Sequence, residues 1–235
     1  ISLLPVENSI EGTVGRTLDL LVSAKLMISA EISIPINHLL LRKVGGFNHI
    51  TRVVAHSQAL LQCQKWLDLR LPSVPRLAVE SNGVAAQMAQ QDEKVVAIAG
   101  KLAQEKYELV SLANDIQNEK FNRTRFAALG KFEPDGCGID QTSIIVGVRD
   151  QVGAMHKVVE SFAKNFVSLR RFESRPARTT RVHAWEYLFY IDLEGHINDT
   201  NVKKALDDVK ENSVFFKNLG SYPLFEKLGL PSRLT

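Results

Sequence analysis

The residues with the most chemical capacity lie in three short clusters. Asn122-Arg123-Thr124-Arg125-Phe126 sets an amide, a hydroxyl and two guanidinium groups within five positions. Guanidinium groups pair bidentately with carboxylates, so this run can hold a dicarboxylate while the amide and hydroxyl fix its orientation. A solvated basic loop has the same composition. Pro5-Val6-Glu7-Asn8-Ser9-Ile10-Glu11-Gly12 places three polar side chains after an apolar strand end and ahead of a helix. That is where an α/β protein gathers donors and acceptors in a cleft; a turn followed by a helix cap reads equally well. Ala55-His56-Ser57-Gln58-Ala59-Leu60, continuing to Gln62-Cys63, is by itself an ordinary helix start, and an isolated histidine such as His56 is more often structural than catalytic.

The elements that must position these clusters follow from pattern. The chain has 235 residues, enough for two domains with cores of their own. A net charge of +3 with dispersed basic residues argues against a nucleic-acid surface. No apolar run approaches the ~18 residues of a membrane span. Cys63 and Cys137 form no Cys-x-x-Cys pair, which fits two free thiols in a reducing, cytoplasmic setting. The chain opens on Ile1-Ser2-Leu3-Leu4-Pro5, as though inside a strand, with the expectation that residues upstream are missing.

A turn-rich, polar stretch at 131–141 marks the expected domain boundary, giving domains at 1–132 and 141–223 and a tail at 224–235. Upstream, a long extended segment is expected at 31–41. Ser57 is expected to cap a helix carrying Leu60, Leu61, Trp66 and Leu67; Ser81 caps another, and 95–99 is a buried strand. Alternation of this kind implies an α/β domain with a mostly parallel sheet. Downstream, strands are expected at 143–148, 167–174, 184–193 and 215–219. One helix carries Val152, Met155, Val159, Phe162 and Phe166 on one face, and a second carries Val202, Leu206 and Val209. The order βαββαβ is the ferredoxin-like arrangement, which serves enzymes, RNA binders and amino-acid sensors alike.

The clusters, taken in order and spacing, resemble the prephenate dehydratase family over about residues 5–223. The matching pieces are Pro-x-Glu-Asn-Ser-x-x-Gly from Pro5, Thr17 with Asp19, His-x-Gln-Ala-Leu-x-Gln-Cys from His56, Glu80-Ser81, and Asn-x-Thr-Arg-Phe from Asn122. Glu173-Ser174-Arg175-Pro176, Val152-Gly153-Ala154-Met155 and Trp185-Glu186-Tyr187-Leu188-Phe189 resemble that family's regulatory ACT domain. The resemblance implies a two-lobed catalytic domain similar to periplasmic binding proteins, short of its N-terminal part, followed by an ACT domain. A chorismate mutase domain lies further upstream in some relatives. It implies decarboxylating dehydration of prephenate to phenylpyruvate, with no metal or other cofactor.

By the same resemblance, Thr124 contacts the departing hydroxyl, Arg125 takes a substrate carboxylate, and Glu7, Asn8 and Ser9 complete the catalytic set. Asn122, Gln58, His56, Ser81 and Phe126 bind substrate. Gly153, Ala154, Met155, Ser168, Leu169, Glu173, Ser174, Arg175 and Pro176 bind L-phenylalanine in a homodimer or homotetramer. Feedback inhibition then requires L-phenylalanine to bind the low-activity state more tightly, by ~1–3 kcal/mol. The chain departs from the family at Ala55, where the family has Ser, at Ser57, where Pro is common, at Ser81-Asn82 in place of Ser-Thr, at Met155, where the family has Leu, and at Ser168, where Asn is common. Two alternatives stay open, an arogenate dehydratase and a non-catalytic phenylalanine-binding regulator. Trp185, Phe189 and Phe162 are expected in the core.

Overall fold

The computed structural model describes residues 1–177 and 187–224. The chain divides into two compact units. One joins 1–34 to 124–235, and the other is the continuous segment 35–123. This division differs from the expected split near 131–141, because both ends of the first expected domain fold with the second.

The discontinuous unit holds two sheets. The first has strand order β2-β1-β9-β3, from β1 (Ser2–Asn8), β2 (Gly12–Thr13), β3 (Met27–Pro35) and β9 (Arg123–Gly130). Helix α1 (Gly15–Ser23) follows β2 and buries Leu18 and Leu21. The second sheet has order β11-β12-β10-β13, from β10 (Asp140–Gly147), β11 (Leu169–Pro176), β12 (Tyr187–Glu194) and β13 (Phe215–Pro223). With α6 (Ala154–Lys164) and α7 (Thr200–Glu211) it forms the expected βαββαβ domain.

Alternation of side chains across a strand gives this second sheet two buried faces. Ile144, Val146, Ile191 and Leu193 pack on Val158 and Phe162 of α6 and Val202, Leu206 and Val209 of α7. Phe189 packs at the margin of that core. Ile145, Tyr190, Leu219 and Tyr222 face the other way and share a core with Val6, Leu18, Leu21, Ile28, Ala127 and Leu129 of the first sheet and α1. The approach is close: a Cβ on Gly220, which has φ +132°, would collide with the Ile28 carbonyl, so only glycine fits. Lys217 of β13 donates to the carbonyls of Leu21, at 2.7 Å, and Val22, at 3.0 Å, at the end of α1.

The continuous unit is a five-stranded sheet of order β6-β5-β7-β4-β8, from β4 (Leu39–Arg42), β5 (Arg52–His56), β6 (Arg76–Val79), β7 (Val95–Ala99) and β8 (Val110–Ala113). Helix α4 (Asn82–Gln91) covers one face through Ala85, Ala86 and Ala89. Helices α2 (Ser57–Gln62) and α3 (Gln64–Arg70) cover the other through Ala59 and Leu67. Every residue of β7 is buried, as an apolar central strand requires. A short α5 (Lys101–Lys106) links β7 to β8.

Several expectations are corrected. The sheet is mixed: β5 runs parallel to β6 and β7, but β4 runs antiparallel to β7 and β8. The extended segment at 31–41 is two strands in different sheets, β3 ending at Pro35 and β4 starting at Leu39. Proline has no N–H to continue a ladder. The cap of α2 is His56, not Ser57, and a break at Cys63 separates α2 from α3. Helix α6 begins only after Gly153, whose φ of +81° favours glycine, so Val152 lies outside the helix and exposed. Phe166 leaves the helix in the left-handed region, at φ +56°, and is also exposed; Val158 takes the buried place expected of Val159. Trp185 and Glu186, and the tail beyond 224, lie outside the described residues.

Candidate active site and effector strand

Strand register brings the first and second polar clusters together. Antiparallel β1 and β9 set Asn8 opposite Thr124 and Glu7 opposite Arg125. Asn8 Nδ2 donates to Thr124 Oγ1 at 2.9 Å. The other end of the same amide is fixed by its own turn, where Oδ1 accepts from the backbone N–H of Ile10, at 3.0 Å, and Glu11, at 3.2 Å. The amide is therefore held with its N–H toward Thr124. Donation into Oγ1 polarises that hydroxyl and makes it a better donor in turn. Ser9 sits exposed in the same turn, and Phe126 is half-buried opposite Pro5.

Arg125 lies among three carboxylates. Its Nε is 3.0 Å from Glu31, Nη2 is 3.1 Å from Asp192 on β12, and Nη1 is 3.5 Å from Glu7. Burial alone would lower its pKa, but Glu31 and Asp192 outweigh it and hold the guanidinium more firmly charged. The expected task of Arg125, binding a substrate carboxylate, thus meets resident competition. Arg171 of β11 joins the cluster, with Nε 3.5 Å from Glu7 and Nη1 3.9 Å from Asp192. Ser143 donates to the second oxygen of Asp192 at 2.6 Å, and Tyr222 Oη reaches Glu31 at 3.4 Å.

In the continuous unit, His56 ends β5 and Ser81 lies just past the end of β6, at the carboxyl ends of these parallel strands, where open α/β sheets bind ligands. His56 Nδ1 accepts from Gln58 N–H at 3.4 Å, and Ser81 Oγ caps α4 by accepting from Val84 N–H at 3.1 Å. The Asn82 side chain accepts the His56 N–H at 2.9 Å, tying the two helix starts together. Gln58 is exposed on α2. Asn122 is buried in this unit and donates to Gln62 Oε1 at 3.3 Å.

The residues expected to bind L-phenylalanine fall at the start of α6 and on strand β11 of the second sheet. Gly153 caps α6, with Ala154 and Met155 in its first turn; Met155 also packs on the helix core. Ser168 and Leu169 lead into β11, an edge strand that ends on Glu173-Ser174-Arg175-Pro176. Burial alternates along β11, so Arg171, Glu173 and Arg175 share the less exposed face. Arg175 is 3.3 Å from Asp19 of α1 and packs over Gly15.

Sequence reasoning missed Asp192, Glu31 and Arg171. A lone Asp inside the apolar run of β12 was a usable signal, since a buried charge needs partners.

A split α/β scaffold joined to a ferredoxin-like domain defines the class. The chain matches the prephenate dehydratase family over residues 1–134 and the ACT domain over 142–211. It belongs to the prephenate dehydratase family. It is 42% identical over 221 residues to a bifunctional chorismate mutase/prephenate dehydratase of Aquifex aeolicus, covering 94% of this chain and 60% of that protein. It is 35% identical to arogenate dehydratase 1 of Petunia hybrida, covering 99% of this chain and 58% of that protein. The chain thus spans about 60% of the length of these curated relatives. A crystal structure of prephenate dehydratase from Arthrobacter aurescens in complex with L-Phe superposes with a TM-score of 0.83 at 32% identity, over 96% of this chain and 75% of that one.

Proposed function

We propose that this chain catalyses the conversion of prephenate to phenylpyruvate and is inhibited by L-phenylalanine. The observation that carries the reading is the Asn8 to Thr124 hydrogen bond, set by strand register within the family's motifs. The substrate's ring carboxylate leaves as carbon dioxide, its bonding electrons aromatise the ring, and the ring hydroxyl is expelled. The departing oxygen must gain a proton or a hydrogen bond that strengthens in the transition state. Thr124 supplies that donor, polarised by Asn8. Glu7 and Arg125 flank this pair on the same two strands. Ser9 and Phe126 orient the substrate beside this pair, a proximity effect; the family resemblance supports His56, Gln58, Ser81 and Asn122 of the continuous unit as substrate-binding residues.

The effector reading rests on Gly153 at the start of α6 and on the Glu173–Pro176 end of β11. The L-Phe complex of the Arthrobacter aurescens relative supports it. We assign catalysis to 1–132 and regulation to 141–223, in a cytoplasmic homodimer or homotetramer. Among the described residues no helix is long and apolar enough to cross a membrane.

The test is phenylpyruvate formation from prephenate by this chain, with and without millimolar L-phenylalanine. Turnover suppressed by L-phenylalanine supports the reading. No turnover from folded protein that still binds L-phenylalanine favours the regulator instead. The Petunia hybrida relative supports a second reading, arogenate as substrate, which competition between arogenate and prephenate decides.

A further inference from the structure

The ion cluster around Arg125 draws on both sheets of the discontinuous unit. Glu7, Glu31 and Arg125 come from the sheet that carries Thr124; Arg171 and Asp192 come from the sheet that carries the effector strand. Glu7 is adjacent to Asn8 in sequence, and Arg125 to Thr124. The Glu7–Arg125 pair is therefore one register step from the Asn8–Thr124 pair.

We propose that Asp192 and Arg171 are positioning residues for the Thr124 site, acting through Arg125 and Glu7. This rests on the proposed dehydratase reading. Asp192 is buried and held on both oxygens, by Ser143 at 2.6 Å and by Arg125 at 3.1 Å, so its carboxylate is a fixed anchor. Arg171 is steadied by donating to Thr13 Oγ1 at 3.2 Å, which places its Nε toward Glu7. Two guanidinium groups are shared among three carboxylates, so moving one member redistributes contacts among the rest. Arg171 is two residues ahead of Glu173 on β11. A shift of that strand reaches Glu7 through one side chain, and reaches the Asn8–Thr124 pair through the adjoining backbone.

The experiment uses the full chain and four variants: Asp192→Asn, Asp192→Glu, Arg171→Met and Arg171→Lys. Steady-state kinetics are paired with hydrogen exchange at 1–13 and 123–130, with and without L-phenylalanine. Asp192→Asn and Arg171→Met are expected to lower kcat by about 10-fold or more with KM changed less than about 3-fold, the pattern of a lost transition-state interaction. The conservative variants recover part of that loss. Exchange at 1–13 and 123–130 is expected to change with L-phenylalanine in the parent chain and to lose that response in Arg171→Met. Unchanged kcat, or a loss seen equally in the conservative variants, overturns the proposal. So does exchange at 1–13 that Arg171→Met leaves as in the parent. Should Asp192→Asn fail to fold, Arg171→Met on the edge strand decides. A parent chain without turnover overturns the dehydratase reading, and the exchange comparison still judges the contact from β11 to β1.

Discussion

His38 Nε2 and Gln62 Oε1 meet at 2.9 Å in the continuous unit, while His38 Nδ1 is buried with no hydrogen-bond partner among the described residues. Gln62 Oε1 also accepts from Asn122, so it acts only as an acceptor and Nε2 must carry the proton. Burial lowers the His38 pKa; the Gln62 contact opposes this only in part. A folded-state pKa below the unfolded one means the unfolded chain binds the proton first as pH falls. The stabilisation is complete above the ordinary value near 6.5 and is lost as pH drops below it, by at most about 1.4 kcal/mol per pH unit. His38→Gln, which keeps a donor to Gln62, is expected to flatten this dependence. Chemical unfolding at pH 7.5 and 5.5 measures the difference between the two proteins.

Thr124→Ala is expected to reduce phenylpyruvate formation by about 10²-fold or more, the scale of a lost acid–base or hydrogen-bonding group. Asn8→Asp is the sharper probe. It preserves the acceptor that closes the turn onto Ile10 and Glu11 but replaces the donor to Thr124 with an acceptor. Its kcat is expected to fall with unfolding temperature little changed. Calorimetry beside kinetics checks both halves.

The two cysteines are expected to differ as reagents. Cys63 is wholly buried in the core beneath α2 and α3, and burial pushes its pKa up to about 12. Cys137 is exposed. Native protein at pH 8 is expected to bind one maleimide per chain, at Cys137, and a second only after denaturation. Peptide mass mapping identifies the site.

Gly220→Ala is expected to destabilise the discontinuous unit by about 3 kcal/mol or more, from backbone strain plus collision with Ile28. Gly138, also at positive φ but with open space where a Cβ would lie, is the comparison; Gly138→Ala is expected to cost about 1 kcal/mol. Denaturant midpoints for the two variants separate crowding from φ.

Elements whose periodicity matched their burial were legible in the sequence. Val202, Leu206 and Val209 mark the buried face of α7, and the apolar run of β7 is a fully buried strand. The sequence misled where one residue overrode propensity. Pro35 ended a run that strand propensity alone would carry to Leu41, and Gly153 displaced the start of α6 past Val152. The motif residues at 7–9 and 122–126 stood out because polar side chains cluster there. Glu31 and His38 did not, since Glu31 sits between Ser29 and Ser33 in a strand and His38 beside Asn37 in a connection, with no motif around them. Only tertiary packing shows what such a residue meets.

The discontinuous unit has a consequence for assembly. Strands β1 and β9 pair Ser2 with Leu129 across the whole continuous unit. Closing so long a loop is entropically costly while the intervening chain is unfolded, and contacts of such sequence separation form slowly. The segment 35–123 has cores on both faces of its own sheet. Its prior folding would bring Pro35 and Arg123 into fixed relation and shorten the search. During synthesis the Asn8–Thr124 pair must therefore await residue 124, so the candidate catalytic pair is a late product of folding.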